Sequence, residues 1–210
     1  MNTHLPAATS DVRDTILATG QRLMAGKGYS AVGLNEILTG AGVPKGSFYH
    51  YFGSKDAFGE ALLDNYFEAY LADIDVTLAQ PGLTMAERLL SYFHVWQQTQ
   101  SFFDCQGKCL AVKMAAEVAD LSEAMRLALQ RGTAGVVSRL AGAIEAGVSE
   151  GSLSIHRLAD SDLQRDAETA AHSLYQLWLG ASIMVKIVRN AAPFDAAMLT
   201  TRQMLQLAPD

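Results

Sequence analysis

The stretch Gly33–Phe58, GLNEILTGAGVPKGSFYHYFGSKDAF, contains the helix-breaking residues that decide how this part of the chain folds. It opens with a short segment whose apolar residues have helical spacing, and the glycines of the GAG triplet end that helix. Pro44 suits the first position of a second short helix, because its missing N–H would be unpaired there in any case. Gly53 ends the second helix, and Ser54 can cap the next one. Together with the amphipathic helix that ends at Gly26–Gly28, the stretch predicts a three-helix helix-turn-helix unit.

Polar residues at the start of the second short helix match the chemistry of DNA. In a helix-turn-helix, this helix enters the major groove with its first residues at base edges, while neighbouring groups hold the backbone. Lys45 can reach guanine or a phosphate, and Ser47 can bond either a base edge or a phosphate. Gly46 has no side chain, which lets the backbone approach DNA closely. The candidates for phosphate contact are Tyr49, His50 and Lys55, the last at a helix start where an anion is favoured.

The same features also suit an ordinary helical core. Glycine turns between short helices are common in all-helical proteins, and aromatic residues at helical spacing usually pack inside. We therefore assign Phe48, Tyr51 and Phe52 partly to packing. From the pattern alone, DNA binding and a purely structural turn both stay open.

Composition and charge limit the classes of protein to which this sequence can belong. Half of the 210 residues are apolar, which is enough to bury a core. Residues 1–55 carry five basic and three acidic side chains and the remainder 11 basic and 19 acidic ones, an asymmetry that suggests an anionic partner for the N-terminal part. No apolar run reaches the roughly 20 residues that span a membrane. Without a secretory signal or a disulfide framework, we expect a cytoplasmic protein.

Almost all of the remaining sequence also has helical patterning. Further helices are expected at 54–80, 84–103, 109–118 and 160–190. In the sequence DLSE, Asp120 and Glu123 have the spacing of a capping box at the start of another long helix. Because no alternating strand pattern of useful length occurs, we predict an all-α fold of about nine helices, with an N-terminal helix-turn-helix head and a C-terminal helical domain.

The sequence from Gly33 to Phe58 resembles the signature of TetR/AcrR-type bacterial transcriptional repressors. The match is dense over the first third of the chain. The resemblance implies that residues 1–55 form the DNA-binding domain and residues 56–210 a regulatory and dimerisation domain. It also implies that Pro44–Phe52 is the recognition helix of a homodimer on palindromic double-stranded operator DNA. The family pattern often has a hydroxyl residue where Pro44 stands, so the base preference at this position stays open.

Residues 160–190 predict a helix that is apolar around most of its circumference. One face carries Ala167, Ala170, Ala171, Leu174, Leu177, Trp178, Ala181, Val185 and Val188. Leu179, Ile183 and Ile187 lie elsewhere around the same helix. This helix would be buried if one face packs on the core and another on a second subunit. The alternative is a helix that lies entirely inside a monomer. The family resemblance implies the former, with the last two helices forming a four-helix interface.

Cys109 and Lys186 are candidates for chemically reactive side chains. Cys109 lies at an expected helix start, where the helix N-terminus and the neighbouring Lys108 and Lys113 would each lower the pKa of a thiol. Lys186 lies in an apolar run, and burial would favour its neutral, nucleophilic amine. The structural alternatives are a small core residue for the cysteine and, for the lysine, a side chain that extends to water.

The segments GKCLAVKMAAEVADLSEAMR and LWLGASIMVKIVRN resemble the ligand domain of electrophile-sensing repressors in that family, the N-ethylmaleimide-reductase repressor group. Those repressors release DNA when a cysteine is modified by quinones, reactive aldehydes or oxidised chlorine species. The resemblance implies that Cys109 is the sensor thiol for a small electrophile and that Lys186 is a possible neighbour. Cys105 would be a second, resolving thiol, although its CQGKC context departs from the expected pattern.

Two rival interpretations stay open. The repressor could instead be relieved by reversible binding of a small apolar inducer. The candidate lining residues, which also suit an ordinary core, are Phe93, Trp96, Phe102, Met114, Met125 and Trp178. The second rival is an all-helical enzyme, since Glu168 and His172 have i, i+4 spacing and could share a metal. No catalytic, metal-binding or phosphate-loop motif occurs, so we expect no enzyme activity, metal or cofactor.

Overall fold

The computed structural model describes residues 7–99, 110–157 and 159–208, and nine α-helices lie within these ranges. They are α1 (Ala7–Lys27), α2 (Leu34–Ala41), α3 (Lys45–Phe52), α4 (Lys55–Leu78), α5 (Met85–Thr99), α6 (Leu110–Leu121), α7 (Glu123–Glu150), α8 (Leu163–Val188) and α9 (Ala192–Met204). No strand occurs in these three ranges, so the predicted all-α class is confirmed. None of the nine helices is long and apolar enough to cross a membrane.

The described residues fall into two compact units. The first consists of the described parts of Met1–Glu68 and Gln106–Gly132, and the second of those of Ala69–Cys105 and Thr133–Asp210. The predicted division into domains 1–55 and 56–210 stays a prediction.

The predicted glycine turn between α2 and α3 is formed by Gly42 alone, because Gly40 lies inside α2. Gly42 follows α2 with φ at +66°, in the left-handed region that favours glycine. Its N–H donates to the carbonyl of Thr39 at 3.2 Å, and the N–H of Val43 donates to the carbonyl of Leu38 at 3.1 Å. These bonds satisfy the last carbonyls of α2 and turn the chain into α3.

The start of α3 differs by one residue from the prediction. Pro44 is the N-cap rather than the first helical residue, because its backbone is extended (ψ 154°) and its carbonyl accepts from the N–H of Ser47 at 3.0 Å. At the other end, Gly53 has φ at +69°. The Ser54 hydroxyl accepts from the N–H of Ala57 at 3.0 Å, which confirms the predicted cap of α4.

The predicted cap of α7 is wrong. Asp120 lies inside α6, which continues to Leu121, whereas an N-cap residue has to leave the helical conformation. Ser122 occupies the break instead, and its hydroxyl accepts from the N–H of Met125 at 3.4 Å. Glu123 is therefore the first residue of α7 rather than the third.

Close packing of α4 against α7 in the first unit depends on a glycine. An added Cβ at Gly132 would overlap the ring of Phe67, which is itself buried. An ion pair at the surface, from Arg131 to Asp64 at 2.9 Å, links the same two helices. Because interiors are packed like crystals, this contact leaves no room for a methyl group.

In the second unit, the end of α4 together with α5, α7, α8 and α9 supplies one hydrophobic core. Its completely buried residues include Leu89, Phe93, Val136, Leu140, Ile144, Leu174, Trp178, Val185 and Leu205. The buried positions of α8 recur at helical spacing, which confirms that one face of this helix packs on the core.

Candidate nucleic-acid interface and sensor residues

One face of α3 is anchored by aromatic packing. Phe48 is completely buried, with its ring centroid 5.2 Å from that of Phe52 and 5.3 Å from that of Phe58. Phe52 and Phe58 also meet edge-on at 5.0 Å. The three rings fix α3 to the start of α4, and they confirm the packing role assigned to Phe48 and Phe52.

The opposite face of α3 is open. Exposed side chains or backbone occur at Lys45, Gly46, Tyr49 and His50, and Ser47 is half-buried. The ammonium of Lys45 lies 5.7 Å from the centroid of the Tyr49 ring, within the range of a cation–π contact. The fold thus brings five of the six predicted DNA-contacting residues onto one open face. Their contact with DNA stays a prediction.

The backbone at the start of α3 adds hydrogen-bond donors to this face. Pro44 has no side-chain oxygen, so no side chain caps the N–H groups at the start of α3. The N–H groups of Lys45 and Gly46 lie in the first turn of α3 and have no acceptor inside the helix. Free N–H groups and the helix dipole favour an anion, such as a phosphate, at this end.

Lys55, the sixth predicted contact, binds within the protein instead of extending from it. Its ammonium donates to the carbonyl of Tyr29 at 3.0 Å and lies 4.3 Å from the centroid of the Tyr29 ring. A phosphate contact would require Lys55 to share or leave this position, so its predicted role stays a prediction.

Tyr29 and Glu117 form a polar contact that sequence reasoning missed. The Glu117 carboxylate accepts from the backbone N–H groups of Tyr29 and Ser30, and the Tyr29 hydroxyl donates to Asp56 at 2.9 Å. Burial and the hydrogen bond to Asp56 raise the pKa of the Tyr29 phenol. The pKa of Glu117 is lowered, mainly by a hydrogen bond from the side chain of Ser30 and further by one from its backbone N–H. No local motif signals the contact, because Tyr29 and Glu117 are 88 residues apart.

Both predicted sensor thiols, Cys105 and Cys109, lie outside the described residues. Helix α6 begins at Leu110, which follows Cys109 in the sequence, close to the predicted helix start. Lys186 is half-buried in the last turn of α8, where the helix dipole favours a cation. A role for Lys186 beside the thiol stays a prediction.

Trp96 and Trp178, predicted to line an inducer pocket, lie in the core of the second unit. The Trp178 ring stacks on Phe93 with centroids 4.9 Å apart, and its indole N–H donates to the hydroxyl of Thr201 at 2.9 Å. The indole N–H of Trp96 donates to the hydroxyl of Ser182 at 2.9 Å. Both indoles are therefore already paired with protein acceptors.

The other candidate pocket and metal residues are dispersed. Met114 and Met125 belong to the first unit, whereas Phe102 lies outside the described residues. Glu168 and His172 are exposed on α8. No group of three or more His, Cys, Asp or Glu side chains in the described ranges is arranged to hold a metal ion.

The C-terminal turns of α8 carry an apolar face that the described residues leave open. Ile183, Met184, Ile187 and Val188 are 49%, 45%, 65% and 42% exposed, and Leu199 of α9 is 55% exposed. Neighbouring exposed apolar side chains of this size are typical of protein–protein contacts. They contradict the alternative of a helix fully interior to a monomer.

Two family models match the chain. The model described as bacterial regulatory proteins, tetR family, matches residues 16–62, which include α2, α3 and the start of α4. The model described as the tetracyclin repressor-like C-terminal domain matches residues 86–201, more than half of the chain.

Similar proteins agree with these models over nearly the full length. The HTH-type transcriptional repressor NemR of Escherichia coli (strain K12) is 39% identical over 208 residues, which cover 98% of this chain and 98% of NemR. The HTH-type transcriptional repressor DhaR of Mycobacterium sp. (strain GP1) is 34% identical over 188 residues, covering 90% of this chain and 89% of DhaR.

Solved structures give the same result. The crystal structure of the reduced form of E. coli NemR matches with a TM-score of 0.83 at 37% identity, covering 93% of this chain and 98% of that chain. The regulatory protein TetR from Rhodobacter sphaeroides matches with a TM-score of 0.78 at 26% identity, covering 92% and 98% of the two chains. On sequence and on fold alike, the chain belongs to the TetR family of bacterial transcriptional regulators.

Proposed function

We propose that this TetR-family regulator is a dimeric repressor that binds a palindromic DNA operator and is released when an electrophile or oxidant modifies Cys109. The observation that carries the DNA-binding part is the open face of α3. Lys45, Tyr49 and His50 are exposed there, on a helix whose other face is held by the buried ring of Phe48. The similar proteins NemR and DhaR are transcriptional repressors, which supports repression rather than activation.

In this proposal α3 lies in the major groove, with its first residues at base edges. Lys45 donates to guanine or to a phosphate, Ser47 donates to a base edge, and Gly46 allows close approach of the backbone. The residues assigned to phosphates are Tyr49, His50 and Lys55. Phosphate contacts supply most of the affinity and its salt dependence, while base contacts supply the preference for one sequence.

A second copy of the chain covers the open apolar face of α8 and α9. Burying Ile183, Ile187 and Leu199 against the same residues of a partner removes their apolar surface from water. A two-fold dimer then presents two α3 helices to two half-sites, which need a spacing of about 34–36 Å, one turn of DNA.

Thiol addition supplies the release step. The Cys109 thiol gives its proton to water, the thiolate forms a C–S bond to an alkene carbon of a quinone or maleimide as the π bond of that alkene breaks, and the neighbouring carbon takes a proton back from water. No leaving group and no further reactant are needed. The positive charges of Lys108 and Lys113 nearby in the sequence favour the thiolate. The similar NemR crystal structure is that of a reduced form, which favours a redox-active group in that relative.

The adduct acts by a shift of population. It can lower DNA affinity only if it fits a second arrangement of the helices better than the DNA-bound one. In this scheme residues 1–55 read DNA and residues 56–210 sense and dimerise. Such a regulator acts on DNA in the cytoplasm, and we assign it no catalytic activity.

Replacing Cys109 with serine tests the sensor assignment. We expect N-ethylmaleimide to weaken binding of the wild-type protein to a duplex from upstream of its own gene by at least about tenfold, a free-energy change of about 1.4 kcal/mol. Cys109→Ser should bind the duplex normally and not respond, whereas Cys105→Ser serves as the matched thiol control and should still respond. Fluorescence anisotropy of the labelled duplex measures all three affinities.

A full response in Cys109→Ser would contradict the thiol sensor. Release of that variant by an aromatic compound, reversed on dialysis, would favour the rival with a reversible apolar inducer.

A further inference from the structure

Glu117 joins α6 to the turn between α1 and α2 through both of its carboxylate oxygens. Its Oε2 accepts from the N–H of Tyr29 at 3.0 Å, and its Oε1 accepts from the N–H of Ser30 at 2.7 Å. Hydrogen bonds to an ionised acceptor are roughly twice as strong as neutral ones. Two such bonds from adjacent N–H groups fix the direction of the carboxylate as well as its position.

The turn is shaped to admit this carboxylate. Gly28 has φ at +89°, a backbone conformation that other residues rarely adopt. A Cβ added to Gly28 would lie 2.9 Å from the Oε2 atom of Glu117. Glycine therefore both forms the turn and leaves room for the α6 side chain.

The start of α4 holds the same turn from a second side. The ammonium of Lys55 donates to the Tyr29 carbonyl at 3.0 Å, and the Tyr29 hydroxyl donates to Asp56 at 2.9 Å. Lys55 and Asp56 follow directly on the Gly53-Ser54 segment that ends α3. Tyr29 thus connects α6 to the junction that leads out of the recognition helix.

A displacement of α6 would break this connection. Leu110, Met114 and Val118 are completely buried at intervals of four residues, and Glu117 lies on the same side of the helix. A helix moves as a rigid rod, so the carboxylate follows any shift of the buried stripe. Because N–H···O bonds span only about 2.7–3.2 Å, a shift of about 1 Å is enough to lose both bonds.

We propose that Glu117 is a positioning residue that couples the position of α6 to the DNA affinity of the head by holding the turn at Tyr29 and Ser30. When α6 moves on induction, the turn is released and the recognition helix loses part of its support. This inference rests on the proposed function, because it takes induction to move α6.

The test compares two isosteric changes on one helix, each in a Cys105→Ser background so that alkylation is confined to Cys109. Glu117→Gln keeps the size of the side chain but replaces one accepting oxygen with an NH₂ group, which cannot accept from the turn. Asp120→Asn removes the same charge from an exposed position of α6 and is the matched control. Each protein is titrated into a labelled duplex from upstream of its own gene, before and after treatment with N-ethylmaleimide.

We expect unmodified Glu117→Gln to bind the duplex about five- to tenfold more weakly than the background protein, and alkylation to change its affinity less than about threefold. Asp120→Asn should keep the tenfold response. Wild-type affinity in unmodified Glu117→Gln, or a response that stays tenfold, would overturn the coupling role. A background protein that does not respond to alkylation would instead contradict the proposed thiol release, and Glu117→Gln would still have to bind more weakly.

A measurement on the unsubstituted protein covers the case in which Glu117→Gln does not fold. Amide hydrogen exchange at Tyr29 and Ser30 should accelerate at least tenfold after alkylation, because both N–H groups lose their acceptor. Unchanged exchange at both amides in a protein that has released its DNA would overturn the inference.

Discussion

At the scale of single residues, α3 has a packed face and an open face. Phe48 is completely buried between the rings of Phe52 and Phe58, whereas Lys45 is exposed and touches only the ring of Tyr49 among the contacts that the structure describes. A change at Phe48 acts on stability, and a change at Lys45 acts on what the open face can bind.

Alanine at Phe48 should therefore affect stability, whereas alanine at Lys45 should affect DNA affinity. Phe48→Ala removes a large core side chain and should lower the free energy of unfolding by about 3–5 kcal/mol. Lys45→Ala should change it by less than about 0.5 kcal/mol, yet weaken operator binding by about 1–3 kcal/mol. Thermal unfolding and duplex titration measure the two effects. Unaltered DNA affinity in Lys45→Ala would remove this lysine from the interface.

At the scale of helices, close approach depends on small residues at particular places. Gly132 and Gly142 both lie in α7, but only Gly132 faces a packed ring, that of Phe67. An added Cβ at Gly142 meets nothing within 4 Å. Both positions are helical, but one is crowded and the other is open. Comparing alanine substitutions at the two positions therefore distinguishes the effect of crowding from the effect of helix propensity.

Alanine at Gly132 should lower stability by about 1–3 kcal/mol, because the ring of Phe67 has to move. Alanine at Gly142 should instead raise stability by about 0.4–1 kcal/mol, since it reduces the freedom of the unfolded chain. The midpoint of thermal unfolding, followed by circular dichroism, reports both. A Gly132→Ala variant as stable as Gly142→Ala would show that Phe67 accommodates the methyl group at no cost.

The sequence predicted those helix boundaries that depend on local chemistry. Gly42, Gly53 and Ser54 act within one turn of their own position, and all three have the predicted roles. The cap at Asp120 failed because a local capping pattern cannot show that the preceding helix continues through it. For the same reason, sequence reasoning missed the bond from Glu117 to Tyr29, which only the tertiary fold creates.

The residues of the candidate DNA-binding face were easier to predict from the sequence than those of the candidate inducer pocket. The helix-turn-helix pattern predicted that Lys45 and His50 face outward and assigned Phe48 partly to packing; the structure has the first two exposed and Phe48 buried. A tryptophan, by contrast, suits a pocket and a core equally well. The complete burial of Trp178, its hydrogen bond to Thr201 and its stacking on Phe93 assign it to the core.

At the scale of the whole molecule, the charge distribution and the open apolar face point to two partners. The chain has a net charge of −6, so general attraction to DNA is weak, and binding depends on the locally basic head. In the proposed dimer, a second subunit covers the exposed apolar residues of α8 and α9. Two heads on one duplex double the number of phosphate contacts, which makes the affinity depend steeply on salt.

The salt dependence and stoichiometry of binding to a duplex from upstream of the protein's own gene test the central claim most directly. We expect chains to bind that duplex in multiples of two, with log Kd rising linearly with log salt concentration, a slope of about 0.9 for each phosphate contacted, and at least about a thousandfold preference over a scrambled duplex. Binding of single chains, or equal affinity for the scrambled duplex, would contradict the account of a dimer that reads its operator through α3.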